Sequence, residues 1–181
     1  EKNGVLKGLG FSERAYNAWF QSVTARTAGF NSLDLSAMQN SSKVLMMVLM
    51  FVGGASASTA GGIKVGTFAL LLLTVFSWLK GENTLVIRKK SFAASTVQQA
   101  ATIFFITVAI AVVGVMFLSI ILPQAKLDEI IFEVISAIGT VGLSSGLTGQ
   151  LNNTAKCLLI ILMFIGKVGP ISFLLILRPV K

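Results

Sequence analysis

The sequence predicts an all-α polytopic membrane protein that contains an internal structural repeat. Composition is the first observation: 54% of the 181 residues are apolar and 12% are charged, whereas soluble domains reach about 45–50% apolar even when glycine is counted. The second observation is a stretch of 20 residues without a charge at 103–122. The third is a match between two parts of the chain at one constant offset. Together they predict a chain folded in a bilayer.

The composition also limits the chemistry. The chain has 15 Lys and Arg against 7 Asp and Glu, a net charge of +8, no histidine and a single cysteine, Cys157. High hydrophobicity argues against disorder, and the lack of imidazole argues against the commonest acid–base and metal chemistry. We therefore expect neither an enzyme nor a bound cofactor. Because the chain begins at Glu1 without a signal-peptide pattern, we expect the natural N-terminus to lie upstream.

Two short helices are predicted at 13–23 and 128–136. A helix of about 11 residues is roughly 16 Å long, too short to cross a bilayer core of about 30 Å. The first leads into a polar loop with Thr27–Gly29, and the second leads into one with Thr140–Gly142. We therefore interpret both helices as re-entrant segments.

Between the two short helices lies a broken span. A continuous helix over 44–79 would be about 54 Å long, nearly twice the bilayer core. Its centre is rich in residues that make a poor helix interior: Gly53, Gly54, Gly61, Gly62, Lys64 and Gly66. We predict a helix from Lys43, an irregular intramembrane stretch over Gly53–Gly66, and a second helix that ends at Trp78. A close-packing interface of small residues is the alternative.

Two further spans are predicted. The stretch 103–122 would form a helix of about 30 Å. The stretch 153–177 would form another, with Lys167 at its middle and a kink at Gly166–Pro170. Residues 80–90 carry four basic side chains against one acidic side chain. This loop and the C-terminus are therefore expected to be cytoplasmic, with the Thr-x-Gly loops outside.

An offset of 113 residues reveals the repeat. It aligns 40–53 with 153–166 without a gap, and 7 of the 14 positions are identical. The same offset pairs Thr27 with Thr140 and places the two Thr-x-Gly loops in register. The repeating unit is a re-entrant helix, a Thr-x-Gly loop and an inner helix.

The paired loops predict cation binding. A cation that enters a membrane exchanges its water for other oxygens, which the backbone carbonyls of an extended loop can supply. Taken singly, each Thr-x-Gly loop is an ordinary turn, but two in register predict a filter. The copies run in the same direction, which favours a pore over the alternative function, a secondary transporter with inverted repeats. A glycine-packed structural scaffold would leave the paired loops unexplained.

Three motifs carry a family resemblance: Thr24-Ala-Arg-Thr-Ala-Gly-Phe-Asn31, the stretch Gly53–Val65, and Ile138-Gly-Thr-Val-Gly-Leu-Ser-Ser-Gly146. They resemble, in the same order, motifs of the Trk/Ktr/HKT superfamily of cation uptake proteins, and most closely the C-terminal half of the bacterial Ktr-type membrane subunit. The resemblance implies four units around one pore, each an outer helix, a re-entrant pore helix, a filter loop and an inner helix. About one and a half are present: a third unit at 1–80 without its outer helix, a cytoplasmic loop at 81–95, and a fourth unit at 96–181.

The resemblance also implies roles for individual residues. The filter, where K⁺ would bind, comprises Thr27, Ala28, Gly29, Phe30, Thr140, Val141, Gly142 and Leu143. The gating residues are Gly53, Gly54, Gly61, Gly62, Lys64, Gly66 and Lys167. Lys167 stands where the family commonly has arginine, so it keeps the charge but not the forked guanidinium.

The implied function is potassium uptake across the cytoplasmic membrane, gated by the intramembrane glycine-rich loop. Beyond the lipid bilayer, the implied partners are the remaining half of the same pore, a second copy in a homodimer, and a cytoplasmic ring of nucleotide-binding regulatory subunits. We expect no nucleic acid partner, because a chain of membrane spans lacks a solvated basic face.

Overall fold

The structure is a computed structural model that describes residues 4–55, 60–81, 86–87 and 90–169. Its α-helices in this part of the chain are α1 (Phe11–Thr24), α2 (Asn40–Phe51), α3 (Val65–Leu79), α4 (Ala94–Ile121), α5 (Leu127–Gly139) and α6 (Asn153–Val168). A two-residue antiparallel ladder, β1 (Val86–Ile87) with β2 (Lys90–Ser91), lies in the loop between α3 and α4. A 3₁₀ helix at Leu147–Gln150 precedes α6. The helical architecture agrees with the predicted fold class.

Among the described helices, α4 alone is long and apolar enough to cross a bilayer unaided. Its 28 residues span about 42 Å. The helix begins at Ala94, nine residues before the predicted start at 103, because its polar first turns continue the helix beyond the apolar stretch. Large apolar side chains remain exposed along it, including Phe105, Met116 and Ile120. Acyl chains or a protein partner would cover such a face.

The broken span between α2 and α3 is present as predicted, with shorter bounds. Val52 and Ile63 pair in a β-bridge, and the Gly53 amide donates to the Ile63 carbonyl at 2.8 Å. These bonds bring the two ends of the irregular segment side by side, so that α3 resumes at Val65. Gly66 is therefore the second residue of α3, and its predicted place within the break is wrong. We call the segment 52–64 the break loop.

Helix α5 is the centre of the fold. One face, with Ile130 and Val134, joins a buried cluster with residues of α4 and α6. Its opposite side buries Phe132 against a second cluster that includes Met46 and Met50 of α2. The two helices predicted to be re-entrant therefore differ in burial. Helix α5 is enclosed by α2, α4 and α6, whereas α1 exposes most of its apolar side chains.

An ion pair joins the two halves of the structure. Lys43, in the first turn of α2, lies 3.8 Å from Asp128, in the first turn of α5. The Lys43 side chain is only 9% exposed, whereas that of Asp128 is 38% exposed. The pair links the start of the first inner helix to the start of the second re-entrant helix.

Helix α6 begins at Asn153, the residue that the 113-residue offset pairs with Asn40 at the start of α2. The Asn152 side chain caps it by accepting from the Ala155 amide at 2.8 Å. The helix ends at Val168, and Gly169 has a φ of 89°. The remainder of the predicted span and the kink at Pro170 lie outside the described residues.

Candidate functional site

The two Thr-x-Gly loops share one unusual backbone conformation. Thr27 and Thr140 have φ values of 68° and 51°, and within the described residues no other non-glycine residue has a positive φ. Gly29 and Gly142 follow two residues later with φ values of 73° and 89°. Threonine rarely adopts this region because of its β-branch. The same rare conformation at positions 113 residues apart indicates that both loops are built to one design.

Hydroxyl groups of the preceding helices hold the far end of each loop. The Thr24 hydroxyl in α1 donates to the Phe30 carbonyl at 2.5 Å. The Ser136 hydroxyl in α5 donates to the Leu143 carbonyl at 2.6 Å. Because Phe30 and Leu143 are equivalent at the 113-residue offset, the fourth residue of each loop is anchored to its own helix.

The loop amides also turn back toward the helices. The Ala28 amide donates to the Thr24 carbonyl at 3.2 Å, and the Val141 amide donates to the Ser136 carbonyl at 2.9 Å. Three carbonyl oxygens in each loop accept no hydrogen bond from any described residue: those of Thr27, Ala28 and Gly29, and those of Thr140, Val141 and Gly142. Of these six residues only Val141 is buried, and Ala28 and Gly142 are exposed, so the two loops are open to water or to a cation. The six oxygens are candidate ligands for such a cation.

The two loops lie against each other. A Cβ atom added to Gly29 would collide with the carbonyl oxygen of Val141, and one added to Gly142 would lie 3.9 Å from the Gly29 Cα atom. The Val141 and Leu143 side chains are only 4% and 3% exposed and pack among the methionines of α2. Phe30, the equivalent of Leu143, is 71% exposed. The second loop therefore buries two of its side chains among described residues, whereas Gly142 in that loop and Phe30 in the first loop are exposed.

The break loop reaches the second Thr-x-Gly loop. The Gly61 amide donates to the Thr140 hydroxyl at 2.9 Å. A Cβ atom at Gly61 would lie 2.6 Å from the Thr140 Cγ2 atom and 3.1 Å from the Gly166 carbonyl oxygen. Gly62 has a φ of 69°, and a Cβ atom added to it would lie 3.3 Å from the Gly139 Cα atom. Glycine is thus required where the break loop passes between α5 and α6.

The remaining predicted gating residues occupy different surroundings. Gly53 is buried at the neck of the break loop, where a Cβ atom would meet the Gly61 carbonyl oxygen. Gly54 accepts from the Val65 amide at 3.2 Å, and the Lys64 ammonium group donates to the Ala60 carbonyl. Lys167 is exposed in the last turn of α6, directly after Gly166. The structure therefore brings the glycines of the break loop together with Thr140, and places Gly66 in α3.

Sequence reasoning missed a polar cluster behind the second loop. The carboxylate of Glu133, which is 4% exposed, accepts hydrogen bonds from the hydroxyls of Ser144 and Thr148. The available signal was an acidic residue inside the apolar run Ile130–Ile135. Among the described residues, no group of three or more His, Cys, Asp or Glu side chains could hold a metal ion.

Comparisons with known proteins agree with this architecture. The family model TrkH, described as a cation transport protein, matches residues 1–180. The chain is 41% identical over 170 residues to Ktr system potassium uptake protein B of Bacillus subtilis, a match over 94% of this chain and 38% of that protein. It is 42% identical over 174 residues to the potassium/sodium uptake protein NtpJ of Enterococcus hirae, over 93% of this chain and 38% of that protein.

A solved structure shows the same fold. The crystal structure of the potassium transporter TrkH from Vibrio parahaemolyticus matches with a TM-score of 0.80 over 97% of this chain and 39% of that chain, at 23% identity. The predicted all-α membrane fold and the superfamily resemblance are confirmed. The chain spans about 38% of the length of the curated relatives named above. It belongs to the TrkH family of cation transport proteins.

Proposed function

We propose that this chain forms part of a membrane pore for potassium uptake and that its two Thr-x-Gly loops contribute to the ion filter. The observation that carries the proposal is the set of three carbonyl oxygens in each loop that no described donor reaches. Potassium uptake is named for relatives such as the Bacillus subtilis protein. The first test is K⁺ uptake into K⁺-depleted cells by the complete transporter that contains this chain.

The proposed ligands are the carbonyl oxygens of residues 27–29 and 140–142. Each would replace part of the hydration shell of a K⁺ ion, with the number and orientation of the oxygens setting the preference over Na⁺. The Phe30 and Leu143 carbonyls already accept a hydroxyl. We therefore assign these two residues, which the resemblance places in the filter, as the anchors that end each filter strand.

Gly142→Ser should lower the preference for K⁺ over Na⁺ by about tenfold. The Gly142 φ of 89° is unfavourable for serine, and the strained loop would reorient the adjacent carbonyls. The measurement is the ratio of K⁺ to Na⁺ uptake. Gly81→Ser is the matched control, because Gly81 also has a positive φ, of 79°, and a Cβ atom there meets nothing within 4 Å. An unchanged ratio in Gly142→Ser would remove the second loop from the filter.

We further propose that the break loop is the gate. Its support is the contact between Gly61 and Thr140, which places the loop against the first residue of the second filter strand. We assign Gly53, Gly54 and Gly62 to the shape of the closed loop. We also propose that Lys64 and Lys167 add positive charge below the filter, which would oppose cation flow.

Gly61→Ala should raise K⁺ flux severalfold. Its Cβ atom would lie 2.6 Å from the Thr140 side chain, so the break loop must withdraw from the filter. Shortening the stretch Gly53–Gly66 should act in the same direction. Gly10→Ala is the control, since its Cβ atom would have only an ordinary contact at 3.7 Å. The measurement is initial-rate uptake of K⁺ or Rb⁺, and a flux equal to that of the unaltered protein in both variants would contradict gating by this loop.

The proposed assembly follows the resemblance. We propose a third unit at 1–80, a loop at 81–95 and a fourth unit at 96–181. The remaining half of the pore would cover the exposed Phe30 of the first loop and the exposed Tyr16 and Trp19 of α1. We also propose that the complete protein forms a homodimer and binds a cytoplasmic ring of nucleotide-binding regulatory subunits. In this topology the 80–90 loop and the C-terminus are cytoplasmic, and the filter loops face the outside.

A further inference from the structure

The Glu133 carboxylate lies behind the second Thr-x-Gly loop, outside the set of carbonyls proposed as ligands. Glu133 is in the middle of α5 and is 4% exposed. One of its oxygens accepts from the Ser144 hydroxyl, and the other accepts from the Thr148 hydroxyl at 2.9 Å. Ser144 directly follows Leu143, so the carboxylate is hydrogen-bonded to the first residue after the loop.

Hydroxyl groups lie at both oxygens of the carboxylate. The Ser144 hydroxyl oxygen already accepts from the Gly146 amide at 3.0 Å and from the Thr148 amide at 3.4 Å. Its single proton is therefore available to donate to Glu133. The Thr148 hydroxyl lies 2.9 Å from both the other carboxylate oxygen and the Ser144 hydroxyl oxygen, so its one proton can serve either. An ionised carboxylate is acceptor-only, and here each of its oxygens has a hydroxyl within hydrogen-bond distance.

The charge of Glu133 has no cationic partner among the described residues. Lys43 with Asp128 forms the ion pair in that part of the chain. A buried anion without a counter-charge is costly. A cation in the adjacent loop would offset that cost, and the carboxylate would in turn favour the cation.

Glu133 and Ser136 act on the same segment. They are three residues apart and therefore lie on one face of α5. Ser136 holds the Leu143 carbonyl at 2.6 Å, and Glu133 holds the next residue, Ser144. Together they fix two consecutive residues immediately after the proposed carbonyl ligands.

The first loop is held differently at the equivalent place. The offset pairs Ser144 with Asn31, which accepts from the Gln21 side-chain amide of α1 at 3.3 Å. The same amide donates to Ser32 at 3.4 Å. The first loop thus has a neutral brace at the site where the second has an anionic brace.

We propose that Glu133 is a positioning residue of the second filter loop, whose ionised carboxylate fixes the segment after Leu143 and favours a bound cation electrostatically. This inference rests on the proposed function. The cation that Glu133 would favour is monovalent, and it would bind to the loop carbonyls and not to the carboxylate itself.

The test compares three variants in the complete transporter. Glu133→Gln keeps the size of the side chain but removes the charge and replaces one acceptor oxygen by a donor. We expect the KM for K⁺ to rise about tenfold, which corresponds to about 1.4 kcal/mol, with a smaller change in maximal rate. Glu133→Asp keeps the charge and should recover part of the loss. Glu129→Gln, one helical turn earlier in α5, is the control and should leave KM unchanged.

A second measurement separates this role from a general effect on folding. The melting temperature of the purified transporter is recorded in K⁺ and in choline at equal ionic strength. We expect K⁺ to stabilise the unaltered protein and Glu129→Gln, and this K⁺-dependent increment to shrink in Glu133→Gln. Equal increments and equal KM values in Glu133→Gln and the unaltered protein would overturn the inference while leaving K⁺ uptake intact. An unaltered transporter that takes up no K⁺ would overturn the proposed function instead.

Discussion

Replacing Gly29 by alanine should abolish potassium uptake by the complete transporter. Its Cβ atom would collide with the Val141 carbonyl oxygen, which we propose as an ion ligand, at the point where the two Thr-x-Gly loops meet. Gly29 also has a φ of 73°, where alanine costs about 1–2 kcal/mol. The collision adds about 1–3 kcal/mol of overpacking. The loops must therefore separate, and the carbonyl oxygens lose their common geometry.

Gly8→Ala is the control that measures the cost of alanine at a positive φ without a steric collision. Gly8 has a φ of 89°, but a Cβ atom there meets nothing within 4 Å. This variant should lower stability by about 1–2 kcal/mol and leave uptake unchanged. The measurements are initial-rate K⁺ uptake and the melting temperature of the purified protein. Uptake by Gly29→Ala equal to that of Gly8→Ala would show that the two loops do not share an ion site.

Replacing Gly166 by alanine should cause the largest loss of stability. The Cβ atom would fall on the backbone of Ile138, within 2.8 Å of its carbonyl carbon and 3.0 Å of its Cα atom. Helices α5 and α6 are in direct contact there, and a backbone cannot yield as a side chain does. We expect a loss of about 3 kcal/mol or more, seen as a lower melting temperature and lower yield of folded protein.

Gly114→Ala in α4 is the matched helical control. Its Cβ atom would approach Leu162 Cδ1, the end of a flexible side chain, at 3.0 Å, and Val134 Cγ1 at 3.3 Å, where a shift of a few tenths of an ångström suffices. Alanine also gains about 1 kcal/mol of helix propensity over glycine. We expect these effects nearly to cancel. Similar melting temperatures for Gly166→Ala and Gly114→Ala would contradict the assigned backbone contact.

The sequence was sufficient to predict those features of the fold that depend on local pattern. The helices around the two loops begin and end within a few residues of the predicted positions, because apolar runs and glycine clusters mark them. The start of α4 at Ala94 was missed, since its first turns are polar and carry no membrane signal. The position of Gly66 was missed because pairing of Val52 with Ile63 closes the break loop early.

The candidate site was predictable in its residues and not in its contacts. The repeat identifies both Thr-x-Gly loops, but threonine ordinarily avoids the positive φ that Thr27 and Thr140 adopt. The hydroxyl anchors and the Glu133 brace join residues 6 to 15 positions apart. Their geometry depends on how each loop returns to its helix, which is a tertiary property. The filter and gating roles themselves stay predictions.

The hydrogen bond from the Gly61 amide to the Thr140 hydroxyl has a consequence for regulation. It joins the second Thr-x-Gly loop, which we propose as part of the filter, to the break loop, which we propose as the gate. Two equilibria that are coupled through one contact influence each other reciprocally, with one coupling free energy in both directions. On the proposed roles, the permeating ion would itself be an effector of the gate, and the cation concentration would be sensed where the cation enters.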